Sequence, residues 1–541
     1  MPDAPVFDYV IVGAGSAGCV VAERLSANGR HSVLVLEAGG TDLRFFVQMP
    51  LGYGKCFFDP AVNWNYRTEP DPGLAGNADH WPRGKLLGGS SSINAMVWIR
   101  GHPQDYDDWE AAGNLGWGWN DVLPAFKAIE DNQAGADAFR GVGGPLHVTD
   151  CNTAVHPLSQ RYVKAAEQAG LDFNPDFNGA AQDGVGVYQI STKGGRRMSA
   201  ARAFLRPAMK RRNVRVETRA LATSIIFEGA RAVGVEYEQR GARHQARAGR
   251  EVILCGGSIN SAQLLQLSGV GPAAHLKSLG IEVVQANESV GRHLEDHIGV
   301  NYTFKGREAT LNQVLRPWWG KLLVGAQYLL LRSGPLSLSM NNAGGFFRTD
   351  AAKTRPNMQL YFQAFSTVIP KSGERPILTP DPWPGFSIGL SNCRPTSRGE
   401  IMIRSSDPRE HPKIVANALS TEEDVDEMLA GVKFLRKIAA QPAMAEFIVE
   451  EILPGPSIVS DDALIHDFRK RSGTVYHPVS TCRMGPDPAQ SVVDPRLKVH
   501  GLSGLRVIDA SIFPSNISGN TNAPSIMTGW KGAQMALEDG G

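Results

Sequence analysis

Gly13, Gly15 and Gly18 stand in the order Gly13-Ala14-Gly15-Ser16-Ala17-Gly18, after a short apolar run and before an amphipathic one. That spacing suits the pyrophosphate of a dinucleotide. The first glycine permits a tight turn, the second lets the backbone approach the phosphates, and the third lets a helix lie close on a strand. Phosphate oxygens would then meet the unpaired N–H groups at the helix start, where Ser16 and Ala17 sit. Glu37 closes the second apolar run, and its carboxylate can there accept hydrogen bonds from two ribose hydroxyls. A second small-residue loop, Gly88-Gly89-Ser90-Ser91-Ser92, suits close approach to a flat aromatic ligand, although a plain tight turn has the same composition. The glycine motif serves FAD and NAD alike.

These residues need a β-α-β unit to hold them. Tyr9-Val10-Ile11-Val12 reads as the first strand and a helix follows to about Leu25. Asn28-Gly29 turns the chain, and Ser32 to Leu36 returns as the second strand, with Glu37 and Ala38 at its end. A chain of 541 residues exceeds one ordinary core, so two domains are expected. Hydrophobic content of 42% with 20% charged residues describes a globular protein. A formal charge of +1 gives no electrostatic reason to expect nucleic acid as a partner. The six cysteines are scattered without CxxC spacing, which argues against a disulfide framework or a zinc site, and no metal is expected. No basic, cleavable leader precedes the first strand, and no apolar stretch reaches about 18 residues. A cytoplasmic enzyme is the expectation.

Residues 81–107, WPRGKLLGGSSSINAMVWIRGHPQDYD, resemble the first signature of the glucose–methanol–choline (GMC) oxidoreductases. Residues 257–271 resemble the second, with Ala262 where Pro or Ser is usual. Gly291 to His297 looks like the family's GxNLQDH stretch, with Arg292-His293 and Glu295 as variants, and 196–207 is also family-like. The matches run in order from residue 7 to residue 536, nearest to choline-dehydrogenase-like and alkanol dehydrogenases.

The resemblance implies an α/β fold: a Rossmann-like FAD-binding domain with a second, α+β substrate domain, an antiparallel sheet flanked by helices. From the motif positions the FAD domain is discontinuous, formed by 1–150, 195–298 and 470–541. Residues 151–194 and 299–469 then form the substrate domain. The resemblance also implies FAD bound extended, its adenine end at Glu37 and its ring near 89–97. Gly89, Asn94 and Val97 match flavin-side positions, with Gly88 and Ala95 in the same segment. Ala222 matches a position whose backbone meets the adenine, and Asp509-Ala510 a strand end that contacts the flavin. Ile93 occupies the place of the histidine that links flavin covalently in some members, so non-covalent FAD is expected.

Tyr476 to Gly485 resembles the family's HPxGTCRMG stretch, with Ser480 in place of the usual glycine. That makes His477 the expected base, and Pro478 biases its backbone towards the extended region. Asn522 matches the position of the second catalytic His or Asn, although a capping role would look alike. Asn520 is a neighbour with a turn-forming reading, and Pro524 reads as a first helical residue. An imidazole with an ordinary pKa near 6.5 can take a hydroxyl proton, and an amide can donate to the emerging alkoxide. Hydride transfer to flavin N5 would complete the oxidation of a primary alcohol to its aldehyde, a step intrinsic to the cofactor.

The partners expected are a small-molecule alcohol and a quinone, dye or O2 as electron acceptor, with a quinone-like acceptor favoured. Ala95 and Val475 match positions near the flavin where relatives tune oxygen reactivity. An O2-using alcohol oxidase and a non-redox hydroxynitrile lyase are the rival readings. A NAD-dependent alcohol dehydrogenase would leave 84–107 and 476–530 without purpose. Trp318 to Leu331 is an aromatic and aliphatic segment with basic flanks. It reads as a helix packed over the substrate channel, with peripheral contact to a membrane surface as the alternative.

Overall fold

The computed structural model describes residues 4–368 and 379–540. Val33–Glu37 is buried at every position, as the near-continuous apolar run of a parallel strand requires when both faces are covered. The first sheet runs Val214–Thr218, Val33–Glu37, Val6–Val12, Ala242–Leu254 in parallel, and Leu505–Val507 joins the end of the last strand. Ala242–Leu254 serves two purposes. Its buried end lies against Val6–Val12, while its exposed start carries Arg231–Gln239 and, beyond it, Ala220–Glu228 as an antiparallel meander. Helices Ser16–Ser26 and Asn522–Asp539 lie side by side on the sheet. A Cβ at Gly529 would come within 2.7 Å of the Ala17 carbonyl, so this helix contact depends on a bare backbone.

The second sheet is antiparallel throughout. Its order is Ile448–Leu453, Ile298–Gly306, Gly385–Asn392, Met358–Gln363, Ala343–Phe347, Gly184–Val187, with Gly473–Thr474 beside Ile298. Strand alternation divides its faces. Leu360 and Phe362 join the core under helices Pro157–Gln168 and Glu422–Ala439, where Phe362 stacks on Tyr162 at 4.6 Å. Tyr361 and Gln363 line a cavity on the other side. Helix Glu422–Ala439 buries Met428, Val432 and Leu435, each burial stabilising the fold by about 1.5–3 kcal/mol. Its start is set by the Thr421 hydroxyl, which accepts from the Asp424 N–H, and its ends carry acids first and bases last, matching the helix dipole. The architecture is thus the expected one, a Rossmann-like sheet joined to an antiparallel sheet with helices.

Two sequence expectations change. The last helix begins at Asn522, with Pro524 inside its first turn rather than at its first position. Trp318–Leu331 is a helix, but only Gly320, Val324 and Tyr328 of it are buried, so most of its surface covers nothing. Among the described residues no helix is long and apolar enough to cross a membrane.

Candidate active site

A cavity of about 890 Å³ is bounded by both sheets, inside the range of about 300–1,000 Å³ usual for ligand cavities. Its wall includes Gly13, Gly15, Ser16, Ala17, Glu37, Ala38 and Ala222, and also His477 and Asn520. Gly13 adopts φ +101°, and a Cβ there would come 2.5 Å from the Cys255 carbonyl. Gly18 does not line the cavity. A Cβ on it would strike the Gly13 carbonyl, so its role is the close approach of helix and strand.

Gly15 differs from both. Within the protein a Cβ would meet only the Cys255 carbonyl, at 3.7 Å, so the space it keeps clear belongs to the cavity. Gly89, at φ +50°, closes on it from the far side, and a Cβ there would sit 2.7 Å from Gly15 Cα. Gly88 stands behind this loop, its N–H donating to the Ala14 carbonyl at 2.7 Å. Three helices of 11 residues or more start at this cavity, at Ser16, Gly257 and Asn522. Their unpaired N–H groups favour anionic oxygens. The Glu37 carboxylate accepts from the Ala14 N–H at 3.0 Å and the Gly39 N–H at 2.8 Å, and burial raises its pKa to about 7. Each oxygen keeps acceptor capacity for a ribose. A cavity whose wall holds an acidic acceptor, a bare-glycine cradle and an imidazole fits a dinucleotide.

Asn94, Ala95 and Val97 lie on the cavity wall, as do Asp509 and Ala510. The Asn94 carbonyl oxygen accepts from Arg197 Nη1 at 2.7 Å and from the Met96 N–H at 3.1 Å, which fixes a loop where Met96 has φ +63°. Asp509 accepts from the Gly257 N–H and the Ser261 hydroxyl, tying the strand end Leu505–Val507 to the helix Gly257–Leu267. Burial raises its pKa.

His477 is buried and its backbone is held at both ends. Its N–H donates to Asp296 Oδ1 at 2.8 Å, and its carbonyl accepts from Asn516 Nδ2 at 3.1 Å. The second Asp296 oxygen accepts from the Thr474 hydroxyl. Tyr476 and Ser480 flank the histidine at φ +73° and +74°. Ser480 therefore occupies a left-handed position at the place where the family pattern has glycine. His293, at φ +60°, stands where that pattern has Asn. Both departures fall on conformations that cost a side chain of this kind about 1–3 kcal/mol.

The ring of His477 makes two contacts. Nδ1 lies 3.0 Å from His297 Nδ1, and Nε2 lies 3.1 Å from Asn520 Nδ2. His297 Nε2 lies 2.7 Å from the Cys393 carbonyl. A carbonyl only accepts, so His297 carries its proton on Nε2. Burial lowers the His297 pKa to about 4, against the pull of the Cys393 and Ile517 carbonyls, so the ring is neutral and its Nδ1 is an acceptor. His477 must then donate from Nδ1, which leaves the lone pair on Nε2. Burial, with His297 and Arg83 nearby, holds the His477 pKa well below its ordinary value.

Asn520 is oriented by its partners on the second sheet. Its Oδ1 accepts from Gln359 Nε2 at 3.1 Å, and Gln359 Oε1 accepts from the Tyr361 hydroxyl at 2.8 Å. The amide N–H of Asn520 therefore points to His477. Asn522 does not make this contact. Its Oδ1 accepts from the Ser16 hydroxyl at 2.8 Å, joining two helix starts beside the phosphate loop. The expected His477–Asn522 pairing is corrected to His477–Asn520. His297 joins the site although no sequence expectation singles it out; the signal is its place after two acids at the end of the family-like stretch Gly291–His297.

Known proteins agree with this architecture. Family profiles described as GMC oxidoreductase match residues 7–299 and 395–529. The chain is 43% identical over 536 residues to the alcohol dehydrogenase [acceptor] of Pseudomonas putida, covering 98% of this chain and 96% of that one. It is 42% identical to the mitochondrial choline dehydrogenase of Mus musculus, over 98% and 90%. The crystal structure of pyridoxine 4-oxidase from Mesorbium loti superposes with a TM-score of 0.88 at 29% identity, over 98% and 99% of the two chains. The chain belongs to the GMC oxidoreductase family. It is an FAD-dependent enzyme that oxidises alcohols.

Proposed function

We propose that His477 is the general base and Asn520 the hydrogen-bond donor in oxidation of a primary alcohol to its aldehyde, with the electrons passed to a quinone-like acceptor. The observation that carries this reading is the tautomer of His477: its basic Nε2 lies on the cavity wall and accepts from the Asn520 amide, so an alcohol hydroxyl that enters between them would meet an acceptor and a donor together. Bound FAD would supply the hydride-accepting chemistry. The protein's part is to move one proton and steady one oxygen. His477 Nε2 accepts the hydroxyl proton, and Asn520 donates to the oxygen as negative charge grows on it. His297 holds the base in the required tautomer.

Gly13, Gly15, Ser16, Ala17, Glu37, Ala38 and Ala222 would hold the adenosine and phosphate end of FAD. Gly89, Asn94, Ala95, Val97, Asp509 and Ala510 would hold the ring end. Tyr476, Phe57 and Tyr53 form an aromatic row leading away from His477, with ring centroids 5.3 and 5.4 Å apart. Such a wall favours an alcohol with an apolar chain. Resemblance to proteins named alcohol dehydrogenase [acceptor] and choline dehydrogenase supports the reaction class.

The test is His477→Ala. It is expected to lower kcat at least ~100-fold while flavin content is kept, the loss of a general base; unchanged turnover would remove His477 from the chemistry. FAD is proposed to be non-covalent because Ile93, buried at the cavity wall, has no nucleophilic atom. Acid precipitation is then expected to leave the flavin in solution, and flavin retained on the pellet overturns this.

A further inference from the structure

The helix Trp318–Leu331 is apolar on nearly every side, yet it is anchored by one stripe, Gly320, Val324 and Tyr328. Such a helix belongs in a core or against lipid. At 100° per residue, Trp318, Trp319, Leu322, Leu323, Leu329 and Leu330 share one outward arc of about 140°, opposite Val324. Their exposure is high: 77% for Trp318, 65% for Leu322 and 81% for Leu330. Phe45 and Phe46 extend the patch, since the Phe45 ring lies 6.4 Å from that of Tyr328 and both phenylalanines are about half exposed. Contiguous apolar surface of this kind marks a contact that the isolated chain does not make.

Charge identifies the occupant. Residues 311–342 contain Arg316, Lys321 and Arg332 and no Asp or Glu. Among the described residues none of the three forms a close ion pair, and only Arg316 has an acid near it, Asp381, whose charged form it favours. Arg316 donates to the Pro380 carbonyl, and Arg332 lies over the Tyr328 ring at 4.9 Å. In a twofold self-contact the same patch would face itself, setting these cations against one another with no acid of the segment to pair them. Tryptophans at one end, leucines along the arc and cations at the flanks match instead the interface of a negatively charged bilayer, where apolar side chains sink below the headgroups and Lys and Arg reach the phosphates.

We propose that the outer arc of Trp318–Leu331, with Phe45 and Phe46, docks the enzyme on an anionic lipid surface without crossing it. The patch is joined to the cavity by covalent chain. Nine residues after Leu331 comes Met340, and seven after Phe46 comes Tyr53, both on the cavity wall. Docking by this face would bring the cavity wall towards the lipid phase.

The experiment is flotation of the FAD-loaded enzyme with phosphatidylcholine vesicles, with and without phosphatidylglycerol. Binding is expected only with the anionic lipid and should weaken as salt rises. The double variant Leu322→Glu/Leu330→Glu is expected to lose at least ~10-fold in vesicle partition, and Trp318→Ser/Trp319→Ser to lose partition independently. Turnover with a soluble dye acceptor should stay unchanged in both, which also reports that they are folded. Parent enzyme that ignores anionic vesicles, or folded variants that float as well as the parent, overturns the proposal. So does a concentration-dependent dimer in sedimentation velocity that the variants abolish without any vesicle binding, because the patch would then belong to a second copy of the chain.

Discussion

Asn520→Ala separates the two asparagines that adjoin the cavity. The substitution removes the N–H that lies 3.1 Å from His477 Nε2 and leaves Gln359 Nε2 with only its longer contact to the Tyr188 hydroxyl, at 3.4 Å. Loss of one donor aimed at developing negative charge costs about 10²–10³ in kcat, or about 2.7–4 kcal/mol. Asn522→Ala removes a neutral hydrogen bond to Ser16 Oγ, worth about 0.5–1.5 kcal/mol. Even if all of that fell on the barrier, kcat would drop by only about tenfold. Because the Ser16 bond lies at the phosphate loop, its loss is expected to appear in FAD retention instead. The assay is kcat at saturating alcohol with a dye acceptor, on preparations matched for flavin content. Anaerobic stopped-flow reduction of the flavin isolates the chemical step. If Asn522→Ala is the slower enzyme at matched flavin, or if Asn520→Ala stays within about threefold of the parent, the orientation argument through Gln359 and Tyr361 fails.

Three further outcomes are expected. His477 is active when neutral, and its pKa is held well below the ordinary value, so kcat/KM should keep its plateau as pH falls through about 6.5 and decline only further into acid. His297→Ala should lower kcat at least ~10-fold by freeing the His477 tautomer. An acid limb centred at or above about 6.5 in the parent, or unchanged kcat in the variant, contradicts the assignment. Gly89→Ala places a methyl group against Gly15 Cα in a left-handed conformation, and strain of about 1–3 kcal/mol should weaken FAD binding by roughly tenfold or more. Equal affinity in a fluorescence-quenching titration would show that the loop relaxes.

Local pattern was enough for the dinucleotide unit. Strand, glycine loop, helix and terminal acid all fall within residues 6–37, so each constraint acts between near neighbours and is written into the order of the residues. The cap at Thr421 and the acid-to-base gradient of Glu422–Ala439 are local in the same way, and the motifs around His477 announced the family. What lay beyond the linear pattern depends on partners distant along the chain. Asn520 and Asn522 are two residues apart on one loop, and either could satisfy a motif. The choice is made by Gln359, which reaches Asn520 from the antiparallel sheet, and by Ser16, which reaches Asn522 from the first helix. The tautomer of His477 depends on a carbonyl at Cys393, presented through His297. Periodicity likewise could not orient Trp318–Leu331, because a helix apolar on all sides has no stripe to mark its buried face. Only the neighbours it meets in three dimensions decide that Gly320, Val324 and Tyr328 turn inward and that the leucines and tryptophans are left to water.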